Sequence, residues 1–246
     1  MSICADEKIG VTRRFLLSAG GLMAATAMLP ACTTVRQGVG SSGLSLVPQV
    51  PPEPALAPYE LMYAAVVDGG FAVPAVPIEQ IDPQFLRQIV SDPTGQPPGT
   101  IVVDTVGHFL YLTRPNGQAI RYGVGLGRAG FEWSGNGVIQ WKQKWPKWTP
   151  PAEMIARDPS LAKFGVDYGG KPGGLDNPLG ARALYIFQNG EDTLYRLHGT
   201  PEWSSIGKSV SSGCVRMMHQ DVMDLYERVP NATPIVVIGG AEVGLS

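Results

Sequence analysis

From Thr100 to Ile238 the chain is a series of short apolar runs punctuated by Gly, Asn and Pro, the pattern of a strand-rich domain. Ile101-Val102-Val103 and Phe109-Leu110-Tyr111-Leu112 predict two strands around Gly107. Asn116-Gly117 predicts a hairpin, because both positions tolerate positive φ, with the next strand over Arg121–Leu126. Ala183–Phe187 and Thr193–Leu197 flank Asn189-Gly190, a second hairpin, so His198 stands at the end of a strand. Val222, Leu225, Tyr226 and Val229 recur at i, i+3, i+4 and i+7 and predict an amphipathic helix, with Pro234–Ile238 as the closing strand. On this pattern Cys214 lies just ahead of a helix, whose N-terminal dipole would favour a thiolate. Further upstream, Asp82 as N-cap and Pro83 at the first helical position predict a short helix to about Val90.

The first hundred residues read differently. Thr12-Arg13-Arg14-Phe15-Leu16-Leu17 is a paired arginine followed by apolar residues, the form of a twin-arginine export signal over residues 1–31. The apolar run Phe15–Leu29 falls short of the roughly 20 residues a membrane-spanning helix needs. Leu29-Pro30-Ala31-Cys32 resembles a lipobox, which makes Cys32 the candidate lipidated residue; Ala25-Thr26-Ala27 is the rival, an ordinary cleavage site. Residues 32–58, rich in Ser, Gly, Pro and Val, read as a flexible tether, and 59–98 as a pre-domain or wrapping segment.

Composition narrows the classes. The chain has 246 residues, 44% hydrophobic and 16% charged, with formal net charge −2. That suffices for one domain with a real core, and the lack of basic excess argues against nucleic acid as a partner. Thirty-one glycines and twenty-two prolines favour a mainly β architecture rich in turns. Of three cysteines, Cys4 and Cys32 lie in the export segment or at its end, so Cys214 is the one thiol of the predicted domain. A disulfide framework is thereby excluded.

That thiol has company. His198 precedes it by sixteen positions, and Ser211-Ser212-Gly213-Cys214 surrounds the sulfur with small residues. Imidazole is the natural base for a thiol near neutral pH, and small neighbours leave backbone N–H groups free to hold an oxyanion. The bland alternatives are a buried core cysteine and a histidine satisfied by backbone.

His198-Gly199-Thr200, a spacer, then Ser211-Ser212-Gly213-Cys214-Val215-Arg216-Met217 resembles the catalytic motif of the L,D-transpeptidases, the YkuD-type enzymes of bacterial peptidoglycan. Gly174–Arg182 and Asp221–Tyr226 extend the resemblance, which runs over about 99–238. It implies a YkuD-type β-sandwich or barrel-like catalytic domain with one or two short helices. It also implies Cys214 as nucleophile, His198 as base, and the Gly199 carbonyl as the group that orients the imidazole. Ser212 stands where many members carry a second histidine; with Gly213 and Cys214 it would supply oxyanion N–H groups. Arg216, Thr200 and Ser211 become candidates for substrate contact, Arg216 equally a brace for the turn. The implied reaction breaks the diaminopimelate–D-alanine bond of a tetrapeptide stem and passes the acyl group to an amine, forming a 3→3 cross-link or attaching a protein to the wall. The implied setting is the periplasm, with a lipid anchor at the membrane and no cofactor. Hydrolysis of stem or lipoprotein links, or wall binding without catalysis, are the other outcomes such a chain admits.

Other signals weigh less. Gly125–Gly130 matches G-x-G-x-x-G, but a loop, Phe131–Gly135, follows where a dinucleotide site needs a helix. Trp133, Trp141, Trp145 and Trp148 read either as packing or, over Trp141–Pro151, as a flap over the substrate groove. His108 and His219 read as surface residues, and no Cys or His spacing suits a metal.

Overall fold

The computed structural model describes residues 55–127, 133–211 and 213–239. Residues 1–31, read above as an export signal, Cys32, most of the stretch read as a tether, and Ser212 lie outside them. The elements are α1 (Tyr59–Met62), β1 (Val66–Asp68), β2 (Phe71–Val73), β3 (Gln88–Ser91), β4 (Ile101–Asp104), β5 (Phe109–Arg114) and β6 (Gln118–Gly123). They continue as β7 (Leu126–Gly127), β8 (Gly135–Lys144), α2 (Ala152–Arg157), β9 (Arg182–Gln188), β10 (Glu191–Thr200), β11 (Ser209–Ser211), β12 (Val215–Met218), α3 (His219–Arg228) and β13 (Thr233–Ile238).

Nine strands form one sheet in the order β12-β10-β9-β8-β13-β4-β5-β6-β3. Strands from both halves of that order supply one core: Ile120 of β6 and Ile101 of β4 join Leu184, Leu197, Val215 and Met217 in a single buried cluster. The sheet therefore wraps around its own inner face. α3 plugs it, burying Val222 and Leu225 in the same cluster, as its apolar spacing predicts. Beyond β6 the chain turns toward the other end of the sheet, where Gly125 and Arg216 exchange two backbone hydrogen bonds of 2.9 and 2.8 Å. The mainly β, barrel-like architecture is thus present, with both predicted hairpins: Asn116 and Gly117 have φ of 63° and 64°, Asn189 and Gly190 53° and 83°.

Two local expectations fail. The helix from Pro83 to Val90 is a single 3-10 turn, Pro83–Phe85, capped by Asp82 accepting from the Gln84 N–H. Gln88–Ser91 leaves it as β3 and pairs antiparallel with β6, because two helical turns are marginal and β-branched Ile89 and Val90 find a sheet edge. Cys214 also does not sit at a helix start. β12 intervenes before α3, and the dipole of α3 acts within its first turn, so it gives the sulfur nothing.

Residues 59–87 form a strap that packs on the first turns of α3 and reaches Arg182 of β9, before the chain joins the sheet as β3. A second apolar cluster of Tyr63, Ile81, Leu86, Ile206 and Met218 sits beneath it. Asp68 takes a two-armed ion pair from buried Arg182 of β9, at 2.8 and 2.9 Å, and a hydrogen bond from the Trp145 indole at 2.7 Å. Gln220 of α3 donates to the carbonyls of Ala64 and Pro74. Tyr63 donates to Asp221, and Arg87 bridges Asp221 and Asp224.

Candidate functional site

β10 and β12 are parallel neighbours, with Leu197 opposite Val215, His198 opposite Arg216 and Thr200 opposite Met218. Side chains alternate between faces along each strand. Leu197, Val215 and Met217 enter the core, so His198, Thr200, Arg216 and Met218 share the opposite face, with Met218 packed against the strap. One step back along the register, Cys214 comes opposite Arg196, and the Arg196 backbone amide hydrogen-bonds the sulfur. Thiol and imidazole are then diagonal neighbours on one surface, with Cα atoms about 7–8 Å apart by strand geometry.

Three residues continue that surface sideways. Trp141 of β8 stacks on Tyr185 of β9 with ring centres 3.6 Å apart and planes 8° from parallel. The Arg196 guanidinium lies 4.5 Å over the other side of Tyr185 and is gripped by Asp192 at 2.7 and 2.8 Å. Trp141, Tyr185, Arg196 and Cys214 form one row across four strands. Trp145 instead packs on Phe71, and Trp133 against Tyr195.

His198 is buried, and its Nδ1 lies 2.7 Å from the Gly199 carbonyl. A carbonyl only accepts, so Nδ1 carries the proton and Nε2 is left as an acceptor. Burial, with Arg216, His219 and Arg196 adding positive charge nearby, pushes the imidazole down to about 4, against the pull of the Gly199 carbonyl. Burial raises the half-buried Cys214 thiol, partly offset by the Arg196 amide and the charges of Arg196 and Arg216. The resting pair is therefore thiol and neutral imidazole.

The other candidates fall as follows. Gly199 packs so closely that a Cβ there would stand 2.9 Å from His219 Nδ1 and 3.1 Å from Val222 Cγ1. Thr200 is buried and its hydroxyl accepts from the Glu202 N–H. Arg216 pairs with Glu202 at 2.8 Å, tying β12 to the turn after β10. Gly213 adopts φ of 127°, and Ser211 ends β11, which pairs with β7. His219 is not a surface residue: it is buried at the start of α3, where its Nδ1 accepts the Ala181 N–H at 3.2 Å. His108 is half-buried and bonds the Val106 carbonyl and the Ser209 hydroxyl. Among the described residues no group of three or more His, Cys, Asp and Glu side chains is placed to hold a metal ion.

Sequence reading missed Arg196 and the Trp141–Tyr185 stack. Their period-two alternation placed them on a face, but only the pairing of β8, β9 and β10 aligns them with the sulfur.

Residues 98–237 match the family model of the YkuD L,D-transpeptidase catalytic domain. The chain is 35% identical over 145 residues to the probable L,D-transpeptidase ErfK/SrfK of Escherichia coli (strain K12), covering 56% of this chain and 43% of that one. To the probable L,D-transpeptidase YbiS of the same strain it is 32% identical over 147 residues, 57% of this chain and 44% of that one. It thus spans less than half the length of these relatives. A crystal structure described as a probable carnitine operon oxidoreductase caia from Brucella melitensis is 48% identical, covering 64% of this chain and 96% of that one, with a TM-score of 0.45. Superposition that loose carries no argument about chemistry.

Proposed function

The chain belongs to the YkuD family of L,D-transpeptidase catalytic domains, and on that premise we propose that it is a cysteine acyltransferase acting on peptidoglycan stem peptides. The observation that carries the reading is the shared face of β10 and β12, which brings His198, Arg196, Cys214 and Arg216 together.

His198 Nε2, the free acceptor, takes the Cys214 proton as the sulfur attacks the carbonyl of the diaminopimelate residue. Base and acid work of this kind contributes roughly 10²–10⁴-fold in rate. The Gly199 carbonyl holds the ring and accepts from Nδ1–H, so no carboxylate third partner is needed. Backbone N–H groups of Gly213 and Cys214, with Ser212, hold the oxyanion; one such donor is worth about 3–4 kcal/mol. The C–N bond breaks, the imidazolium gives its proton to the leaving D-alanine amine, and a thioester remains on Cys214. An acceptor amine reverses these steps, giving a 3→3 cross-link or a protein attached to the wall. The stacked Trp141, Tyr185 and Arg196 make a floor for the stem beside the sulfur.

Export through the paired-arginine segment and anchoring at Cys32 complete the proposal and place the enzyme at a periplasmic membrane surface. The described residues contain no helix long and apolar enough to cross a membrane.

The test is covalent. A carbapenem should leave a mass adduct on the intact protein that Cys214→Ala abolishes; an adduct that survives the substitution removes Cys214 from this role. Tetrapeptide stems incubated with and without an added amine then separate transfer from hydrolysis.

A further inference from the structure

The carbonyl that accepts from His198 is itself held in a slot. A Cβ on Gly180, whose φ is 60°, would stand 2.7 Å from the Gly199 carbonyl carbon and 2.9 Å from its oxygen. The same Cβ would stand 2.5 Å from His219 Cε1, so only glycine lets this backbone meet both groups at once. The Gly199 peptide is thus walled by the Gly180–Ala181 backbone, the His219 ring and Val222.

One hydrogen bond closes that slot. His219 Nδ1 accepts the Ala181 N–H at 3.2 Å, and Ala181 is fully buried. An imidazolium has no acceptor nitrogen; burial pushes His219 down to about 4, so at pH 7 the ring is neutral with its proton on Nε2. His198 carries its proton on Nδ1, so the two rings hold opposite tautomers. The other end of the Ala181 residue is fixed as well. Its carbonyl accepts from the Trp145 N–H at 2.8 Å and from Arg182 Nη1 at 2.8 Å, and Arg182 is pinned to Asp68. Removing the Nδ1 acceptor strands a buried N–H, and relief of that cost runs through a shift of Gly180–Ala181 against the Gly199 carbonyl. An apolar side chain of similar bulk fills the space but offers no acceptor.

We infer that His219 is a positioning residue for the base: by accepting the Ala181 N–H it fixes the Gly199 carbonyl, and through it the tautomer and orientation of His198. Its effect on rate rests on the acyl-transfer reading above; its effect on the His198 ring does not. A misplacement of about 1 Å at a reacting group costs on the order of 10²-fold in rate, so the effect belongs in kcat rather than in KM.

The chain has three histidines, so nitrogen-15 NMR of the full-length protein with labelled histidine distinguishes the rings. At pH 7 the wild type should show His219 as the Nε2–H tautomer and His198 as the Nδ1–H tautomer. His219→Asn puts an amide oxygen where Nδ1 stands. It should keep the His198 tautomer, with kcat for stem cleavage within about threefold of wild type. His219→Leu has bulk but no acceptor, and His219→Gln carries its acceptor one bond too far out. In both, His198 should lose its single Nδ1–H tautomer, and kcat should fall about tenfold to a hundredfold with KM changed less than about threefold. The Gln variant carries the comparison if the Leu variant does not fold. An Asn variant as impaired as Gln, or a folded Leu or Gln variant whose His198 tautomer and kcat are unchanged, overturns the positioning role. Tautomers that respond as stated in a protein that cleaves no stem and takes no carbapenem remove the acyl-transfer reading and uphold the effect of His219 on His198.

Discussion

His198 holds its own neighbour: Nδ1 lies 2.7 Å from the Gly199 carbonyl, and this bond leaves Nε2 as the ring's acceptor. Because the ring is buried and sits near 4, it stays neutral across the physiological range. On the proposed mechanism the active form is thiol plus neutral imidazole. The acid limb of kcat/KM for stem cleavage should fall near pH 4 rather than near the usual histidine value. Cys214 alkylation by iodoacetamide should be slow at pH 7 and rise with pH beyond the usual thiol range. An acid limb at 6 to 7 would contradict a buried neutral base.

Gly199 also has no room for a side chain. A Cβ there would meet His219 Nδ1 at 2.9 Å, Val222 Cγ1 at 3.1 Å and the Ala181 nitrogen at 3.2 Å. Gly199→Ala should cost about 1–3 kcal/mol in chemical denaturation, as overpacking does. It should also lower kcat, since the carbonyl that steers His198 moves with it.

Arg182 is 2% exposed, and Asp68 on the strap is its charge partner, 114 residues away in sequence. Asp68→Ala strands a buried guanidinium, for which a loss of about 3 kcal/mol is expected. Urea unfolding of the two proteins side by side measures it. A loss below about 1 kcal/mol would show that the strap contributes little to holding the sheet.

Asp221 is fully buried beneath Tyr63 and Arg87, and burial pushes its carboxyl up to about 7 against the pull of Arg87. A carboxyl raised on folding stabilises most when protonated, and that contribution is lost as pH rises from the unfolded value toward 7. The two buried imidazoles, His198 and His219, are lowered to about 4 and act in the opposite sense: they add stability as pH rises from 4 to the unfolded histidine value near 6.5. Asp221→Asn removes only the first effect. The variant should gain on the wild type by roughly 1 kcal/mol per pH unit between about pH 4 and 7, read from melting temperatures across that range. A constant difference would mean that Asp221 is ionised throughout.

The parts of this molecule that announce themselves locally were legible. Asn116-Gly117 and Asn189-Gly190 demand positive φ and made their hairpins. The spacing of Val222, Leu225 and Val229 gave α3 its buried face. His198 and Cys214 stood out because their neighbours are small and their chemistry is paired. What stayed hidden depends on distant partners. Nothing near Asp68 signals Arg182, and nothing near Gln88–Ser91 signals the open edge of β6 that turns it into strand. His219 looked like a surface residue because its burial comes from Gly180, Ala181 and Gly199, all on other elements.

His198 lies on β10 and Cys214 immediately precedes its parallel neighbour β12, so what aligns them is the pairing of β10 with β12 rather than the number of residues between them. The crossover that joins those strands is therefore free to lengthen or shorten over evolutionary time without disturbing the chemistry. Kinship judged by counting residues from histidine to cysteine would overlook enzymes built to the same plan.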